Sequence, residues 1–179
     1  LAAATYLLQP GIPFIYYGEE VGLAGPSSLS GDWKLRTPMS WTGNTSNAGF
    51  STGTPFRAVA GNVATHNVAA ERADPNSILS FYKAMIALRN TLPSIARGSY
   101  ESPVVSGSTL AFRRVLGAER SLVVINYGTS GTMMSVTGLP ANAVFSAAYP
   151  SGAAGVTADA GGTAMVAVGA QSVVVLKQN

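Results

Sequence analysis

The first twenty residues constrain the fold most. An apolar, helix-like run from Leu1 to Leu8 is stopped by Pro10-Gly11. Ile12-Pro13-Phe14-Ile15-Tyr16-Tyr17 follows, and then Gly18 with two carboxylates, Glu19 and Glu20. Short, aromatic and β-branched, with Pro before it and Gly after, Phe14 to Tyr17 is predicted to be a buried strand. In an α/β barrel the C-terminal end of such a strand is the face where chemistry is done. The chain opens inside a helical pattern with no basic leader, so a longer polypeptide is expected to precede Leu1.

The 179 residues suffice for one small domain plus part of another. Charged residues make up 11%, far below the roughly 25% of ordinary soluble domains. Ser, Thr, Asn and Gly must therefore furnish the surface, a composition that suits a periplasmic or secreted protein. The net charge is +3, and Arg113-Arg114 is the only adjacent basic pair. Alternation along a strand sends those two side chains to opposite faces, so no phosphate-tracking surface is expected and nucleic acid is not a partner. With no cysteine, disulfides, thiolate metal sites and cysteine nucleophiles are excluded. No apolar run approaches the ~20 residues of a membrane-spanning helix. His66 is the sole histidine and there is no Gly-x-Ser-x-Gly elbow, so a serine–histidine hydrolase and a metal site are both unsupported.

Residues 22–73 lack sustained periodicity and are rich in Gly, Ser, Thr, Asn and Pro. Trp33, Trp41, Phe50 and Phe56 give this segment the aromatics of a packed loop, and loops of such length inside a domain usually serve function. Asp74 then offers an N-cap with Pro75 at the first helical position. Ile78, Phe81, Tyr82, Met85, Ile86 and Leu88 continue a helix to about Thr91, stopped by Pro93. Beyond Gly98 the pattern turns β. Runs at Thr109–Val115, Ser121–Tyr127, Thr132–Val136, Val144–Tyr149, Thr163–Val168 and Ser172–Lys177 predict an antiparallel sandwich. The division falls near residue 96, with an α/β part over 1–96 and an all-β domain over 97–179.

Four strings in order carry a family likeness. Gln9 to Glu20 closely resembles the last barrel strand of the α-amylase family of glycoside hydrolases. Arg36-Thr37-Pro38-Met39-Ser40-Trp41 is similar to that family's Arg-Thr-Pro-Met-x-Trp signature after the eighth strand. Asn47-Ala48-Gly49-Phe50-Ser51 matches the string that follows it. Asn67-Val68-Ala69-Ala70-Glu71 with Asp74 to Leu79 resembles the approach to the eighth barrel helix. The resemblance implies the last strand and helix of a (β/α)8 barrel, followed by a β-sandwich C-terminal domain. It also implies a retaining reaction on α-glucosidic bonds of starch-derived or related glucosides. There an Asp attacks the anomeric carbon and a Glu protonates the leaving oxygen, the two about 5–5.5 Å apart.

By that resemblance the catalytic acids lie upstream of Leu1, so this chain alone holds none and is expected to be inactive. Its partners would be the N-terminal catalytic portion and an α-glucan or oligosaccharide. No cofactor is expected here, and calcium, where present, belongs to the upstream part. Half a barrel leaves Phe14–Tyr17 with open sheet edges and strips Ile78, Phe81 and Met85 of facing strands, so tight association is expected. The substrate-binding candidates are Arg36, Trp33, Trp41, Phe50 and Glu19. A planar, permanently charged guanidinium suits sugar hydroxyls or a site carboxylate, and aromatic faces suit the C–H faces of glucose. Glu19 and Glu20 alternate on the expected strand, so at most one faces inward. Bracing of the loop by Arg36 and packing of the aromatics onto the barrel are the competing roles. Two other readings stand beside this one: a carbohydrate-binding β-domain without catalysis, and a β-domain that only stabilises its neighbour.

Overall fold

The computed structural model describes all 179 residues, as four α-helices, two 3-10 turns and eight strands. Its contacts group the chain into two compact units, Leu1–Pro13 with Met85–Asn179, and Phe14–Ala84. The grouping differs from the division near residue 96, because Leu1–Pro13 and residues 85–96 fall with the β-rich part.

In the first unit a six-stranded antiparallel sheet has the order β1-β2-β3-β8-β5-β6. Its strands are β1 (Ser99–Ser106), β2 (Thr109–Leu116), β3 (Glu119–Asn126), β5 (Val144–Tyr149), β6 (Val156–Thr157) and β8 (Ser172–Gln178). A second sheet pairs β4 (Thr132–Val136) with β7 (Ala164–Val168). Along β7 the alternation is plain: Ala164, Val166 and Val168 are buried while Met165 and Ala167 point out. These inward residues meet Met134, Val136, Ala111, Leu122, Val124, Phe145, Val174 and Leu176 in one core. That is the β-sandwich read from the sequence, with the six expected strands formed to within two residues. β1 and β6 were not foreseen. β1 carries Pro103 and a bulge between Glu101 and Val104, with Ser102 in the left-handed region, which breaks its alternation.

The other face of β2 and β3 meets α4 (Pro93–Arg97). Ser94 ties the two elements together: its hydroxyl bonds Ser121 at 2.7 Å, and its N–H donates to Glu119 Oε1 at 2.7 Å. Two arginines then bind the C-terminal end of α1 (Ala2–Leu7). Arg89 donates to the carbonyls of Leu7, Gln9 and Gly11, and Arg114 to those of Leu8 at 2.9 Å and Gly98 at 2.8 Å. A helix C-terminus carries partial negative charge and orphan carbonyls, so guanidinium forks suit it.

In the second unit the strand expected over Phe14–Tyr17 does not form. These residues make no ladder and are exposed, Phe14 at 88%. A strand exists only through hydrogen bonds to neighbours, and no other segment of the chain supplies them. Glu19 and Glu20 consequently lie in the 3-10 turn Glu19–Val21 after Gly18, where strand alternation does not apply. The long segment is held by its backbone: Trp41 and Thr42 both donate to the Ala48 carbonyl at 2.9 Å, and Val68 and Ala69 donate to Ser40 and Trp41. Ala48, Ala60 and Val63 form its small core. Asn67 caps α2 (Val68–Arg72) by accepting from Ala70 N–H at 2.9 Å.

The long helix α3 (Ile78–Thr91) begins later than Asp74-Pro75 suggested. Ser77 accepts from Ser80 N–H and Glu71 accepts from Leu79 N–H, so these two side chains serve its first turn. Asp74 instead closes a local turn with Asn76 N–H. Tyr82, Met85 and Leu88 are buried, and Ile78 and Ile86 are exposed. Met85 therefore finds its cover within this chain, while Ile78 does not.

Candidate functional site

The unit Phe14–Ala84 contains a cleft of about 380 Å³ lined by Tyr17, Arg36, Thr37, Pro38, Met39, Phe50, Pro55, Phe56 and Arg57. Three stretches build it. The 3-10 turn Gly31–Arg36 ends at Arg36, and Thr37 returns to extended backbone, so that Thr37, Pro38 and Met39 become one wall. The turn around Asn47–Phe50 projects Phe50. Phe56 and Arg57 come from the stretch that follows. The volume lies within the range of small-ligand sites, and apolar walls with a few polar groups are the usual composition of such sites.

Tyr17 is the hinge of the polar side. Its hydroxyl donates to the Thr37 carbonyl at 3.0 Å and lies 3.4 Å from that of Leu35. Partial burial, then the neighbouring Tyr16, push this phenol above its ordinary value against the opposing pull of Arg36 and Arg57. At neutral pH it is a donor. Arg36 pairs with Asp32 one turn back along the 3-10 segment, and both side chains are largely exposed. Such a pair braces the turn weakly and leaves part of the guanidinium free to meet a ligand. Arg57 lies 4.1 Å from the centroid of Trp33, a cation–π contact that extends the aromatic surface around the cleft.

Of the five sequence candidates, the structure brings Arg36 and Phe50 into the cleft. Trp33 stands behind Arg57 without lining it. Trp41 and Glu19 are outside: Trp41 is engaged through its backbone with Ala48 and Ala69, and Glu19 belongs to the 3-10 turn. Arg57, Phe56, Thr37 and Met39 were not singled out for binding. Arg57 had a signal, since it is a lone cation beside an aromatic in a charge-poor stretch. No group of three or more His, Cys, Asp or Glu is arranged to hold a metal ion. His66 Nδ1 bonds the neighbouring Thr65 hydroxyl at 2.9 Å. No helix is long and apolar enough to cross a membrane.

Comparison with known proteins identifies the relatives of the chain. The family described as alpha amylase, catalytic domain, matches residues 1–98. An α-amylase of Bacteroides thetaiotaomicron is 34% identical over 145 residues, covering 76% of this chain and 20% of the relative. An oligo-1,6-glucosidase of Parageobacillus thermoglucosidasius is 30% identical over 161 residues, covering 69% and 28%. The isomaltulose synthase of Klebsiella sp. LX3 superimposes over 99% of this chain and 37% of its own, with a TM-score of 0.78 at 25% identity. The trehalulose synthase of Pseudomonas mesoacidophila MX-45 does so over the same shares with a TM-score of 0.77. The chain thus spans less than a third of the length of these two sequence relatives. Its motifs, its sandwich and its matches agree, and the chain belongs to the α-amylase family.

Proposed function

We propose that this chain is the C-terminal portion of a retaining glycoside hydrolase acting on α-glucosidic bonds of starch-derived or related glucosides. The observation that carries the reading is the cleft itself. Phe50, Pro38, Pro55 and Met39 offer apolar faces to sugar C–H surfaces, and Arg36 and Tyr17 stand at its polar side. The geometry supports a role in holding the sugar. The nucleophilic Asp and the acid Glu of such a reaction, about 5–5.5 Å apart in a retaining enzyme, belong to an N-terminal catalytic portion. In this account the chain alone is inactive, needs no cofactor, and works in a periplasmic or secreted enzyme, with any calcium bound in the upstream part.

In the assembled site, Phe50 excludes water from one side of the ring, and the Arg36 guanidinium directs hydroxyls. The catalytic carboxylates then meet an oriented anomeric carbon. The test compares the intact enzyme with the isolated 1–179 chain on maltose, isomaltose, trehalose and cellobiose. Turnover of α-linked glucosides by the intact enzyme, with none by the chain, supports the proposal. Turnover of cellobiose alone, or glucosidase activity in the isolated chain, contradicts it.

A further inference from the structure

Arg57 is left incomplete by its own chain. Its guanidinium lies 4.1 Å from the centroid of Trp33 and 5.6 Å from that of Phe56. Aromatic rings offer its N–H groups no oxygen acceptor. Nη1 is shut off from solvent and has no hydrogen-bond partner. The ion pairs of the chain join Arg36 to Asp32, Arg113 to Glu101 and Lys177 to Glu119, and none includes Arg57. No Asp or Glu lines the cleft. A buried charged donor without an acceptor is strongly unfavourable. The Thr37 hydroxyl, almost completely buried on the same cleft, is also unpartnered.

Arg57 as a whole is only half-buried, so the rest of its charged fork is open to an anion. A planar carboxylate matches the guanidinium through paired N–H bonds. The surroundings favour a protein as its source. Phe56, next in sequence, is 92% exposed, and Phe14, Leu35 and Trp33 of the same unit are also exposed. Apolar side chains in this number are what a protein surface covers. The chain spans 20% and 28% of the two sequence relatives described above, so most of such an enzyme remains to supply the acid.

We propose that Arg57 receives a carboxylate side chain from the polypeptide that completes the enzyme. The proposal rests on the reading that the chain works joined to a catalytic portion. The ion pair holds the Phe14–Ala84 segment, and with it the cleft, against that portion.

The experiment compares the intact wild-type enzyme with Arg57→Gln and Arg57→Lys. It measures the rate of proteolytic cleavage within residues 14–84, and kcat/KM on neutral maltotriose and on a 6-phosphorylated α-glucoside. Cleavage in Arg57→Gln is expected to rise about ten- to a hundredfold at low salt, with Arg57→Lys between the two. A crystal structure of the wild-type enzyme is expected to show an Asp or Glu oxygen within about 4 Å of the guanidinium. Unchanged cleavage, or no carboxylate at that distance, overturns the proposal. A loss of kcat/KM confined to the phosphorylated glucoside, with cleavage unchanged, also overturns it and assigns the site to a substrate anion. An enzyme inactive on every α-glucoside, yet showing the salt-sensitive rise in cleavage, defeats the proposed function and leaves the ion pair standing.

Discussion

Replacing Arg114 with methionine measures how the end of α1 is tied to the sheet. Arg114 is completely buried, and its two donated bonds go to the carbonyls of Leu8 and Gly98, at 2.9 and 2.8 Å. Both acceptor residues are themselves buried. Methionine fills much of the volume but leaves both carbonyls without that donor, at about 1–3 kcal/mol each. An opposing effect reduces the loss. Burial, and then repulsion from Arg89, lower the pKa of Arg114, which shows that the charge itself is held at a cost. Replacing a buried charge with an apolar side chain returns part of that cost.

The net loss expected for Arg114→Met is about 2–4 kcal/mol. At about 2–4 °C per kcal/mol for a chain of this size, the melting temperature falls by roughly 4–16 °C. Urea unfolding of the 179-residue chain followed by far-UV circular dichroism, extrapolated linearly to water, gives the value. Arg114→Lys keeps the charge but not the fork, so it falls between wild type and methionine. An Arg114→Met variant within about 0.5 kcal/mol of wild type, or more stable than it, refutes the reasoning. It would mean that the cost of burying the charge cancels the two bonds.

Glu119 gives a pH-dependent contribution. Burial alone would raise its pKa, but the bonds from Ser94 and the charge of Lys177 outweigh it and hold the carboxyl below its ordinary value. A depressed folded pKa stabilises fully above the ordinary glutamate value, about 4.3, and that stability is lost as pH falls through the folded pKa. The stability gap between wild type and Glu119→Gln is therefore widest near neutrality and closes below about pH 4; a gap constant from pH 3 to 7 contradicts this. Gly162 has φ +76° and its added Cβ would meet the Leu139 carbonyl oxygen, so Gly162→Ala should cost more than about 1 kcal/mol in urea unfolding. Asn67 is buried, caps Ala70 N–H and donates to the Val63 carbonyl, so Asn67→Ala should cost about 1–3 kcal/mol by the same assay. Phe50→Ala in the intact enzyme should lower kcat/KM on maltotriose by about tenfold or more, with unchanged kcat/KM refuting its place at the sugar.

The elements legible in the sequence were those whose own pattern specifies them. β7 is a short apolar run between Gly162 and Gly169, and Tyr82, Met85 and Leu88 sit at helical spacing, so both were readable. Arg113 and Arg114 do part to opposite faces: one reaches Ser102 and Gly138, the other Leu8 and Gly98. Phe14–Tyr17 has the residues of a strand, yet a strand is a property of a pair, and no partner exists in this chain. The helix start was misplaced because Asp74 and Ser77 can both cap, and Glu71 decides between them from six residues before Ser77. In the cleft, Arg36 and Phe50 came from the strings that carry the family resemblance, together with the chemistry of a guanidinium and an aromatic face. Arg57 carried only the signal of a lone cation beside Phe56; its significance lies in a partner ring 24 positions away and in an acceptor that the chain does not provide.

The most direct test of the account is proton NMR of the anomeric products in the first minutes of maltotriose hydrolysis by the intact enzyme. The account predicts that the α-anomer appears first and the β-anomer only later, by mutarotation, as a retaining mechanism on an α-glucosidic bond requires. Initial release of the β-anomer would show inversion and contradict the proposed mechanism. Absence of any hydrolysis or transfer from α-linked glucosides would contradict the proposed function itself.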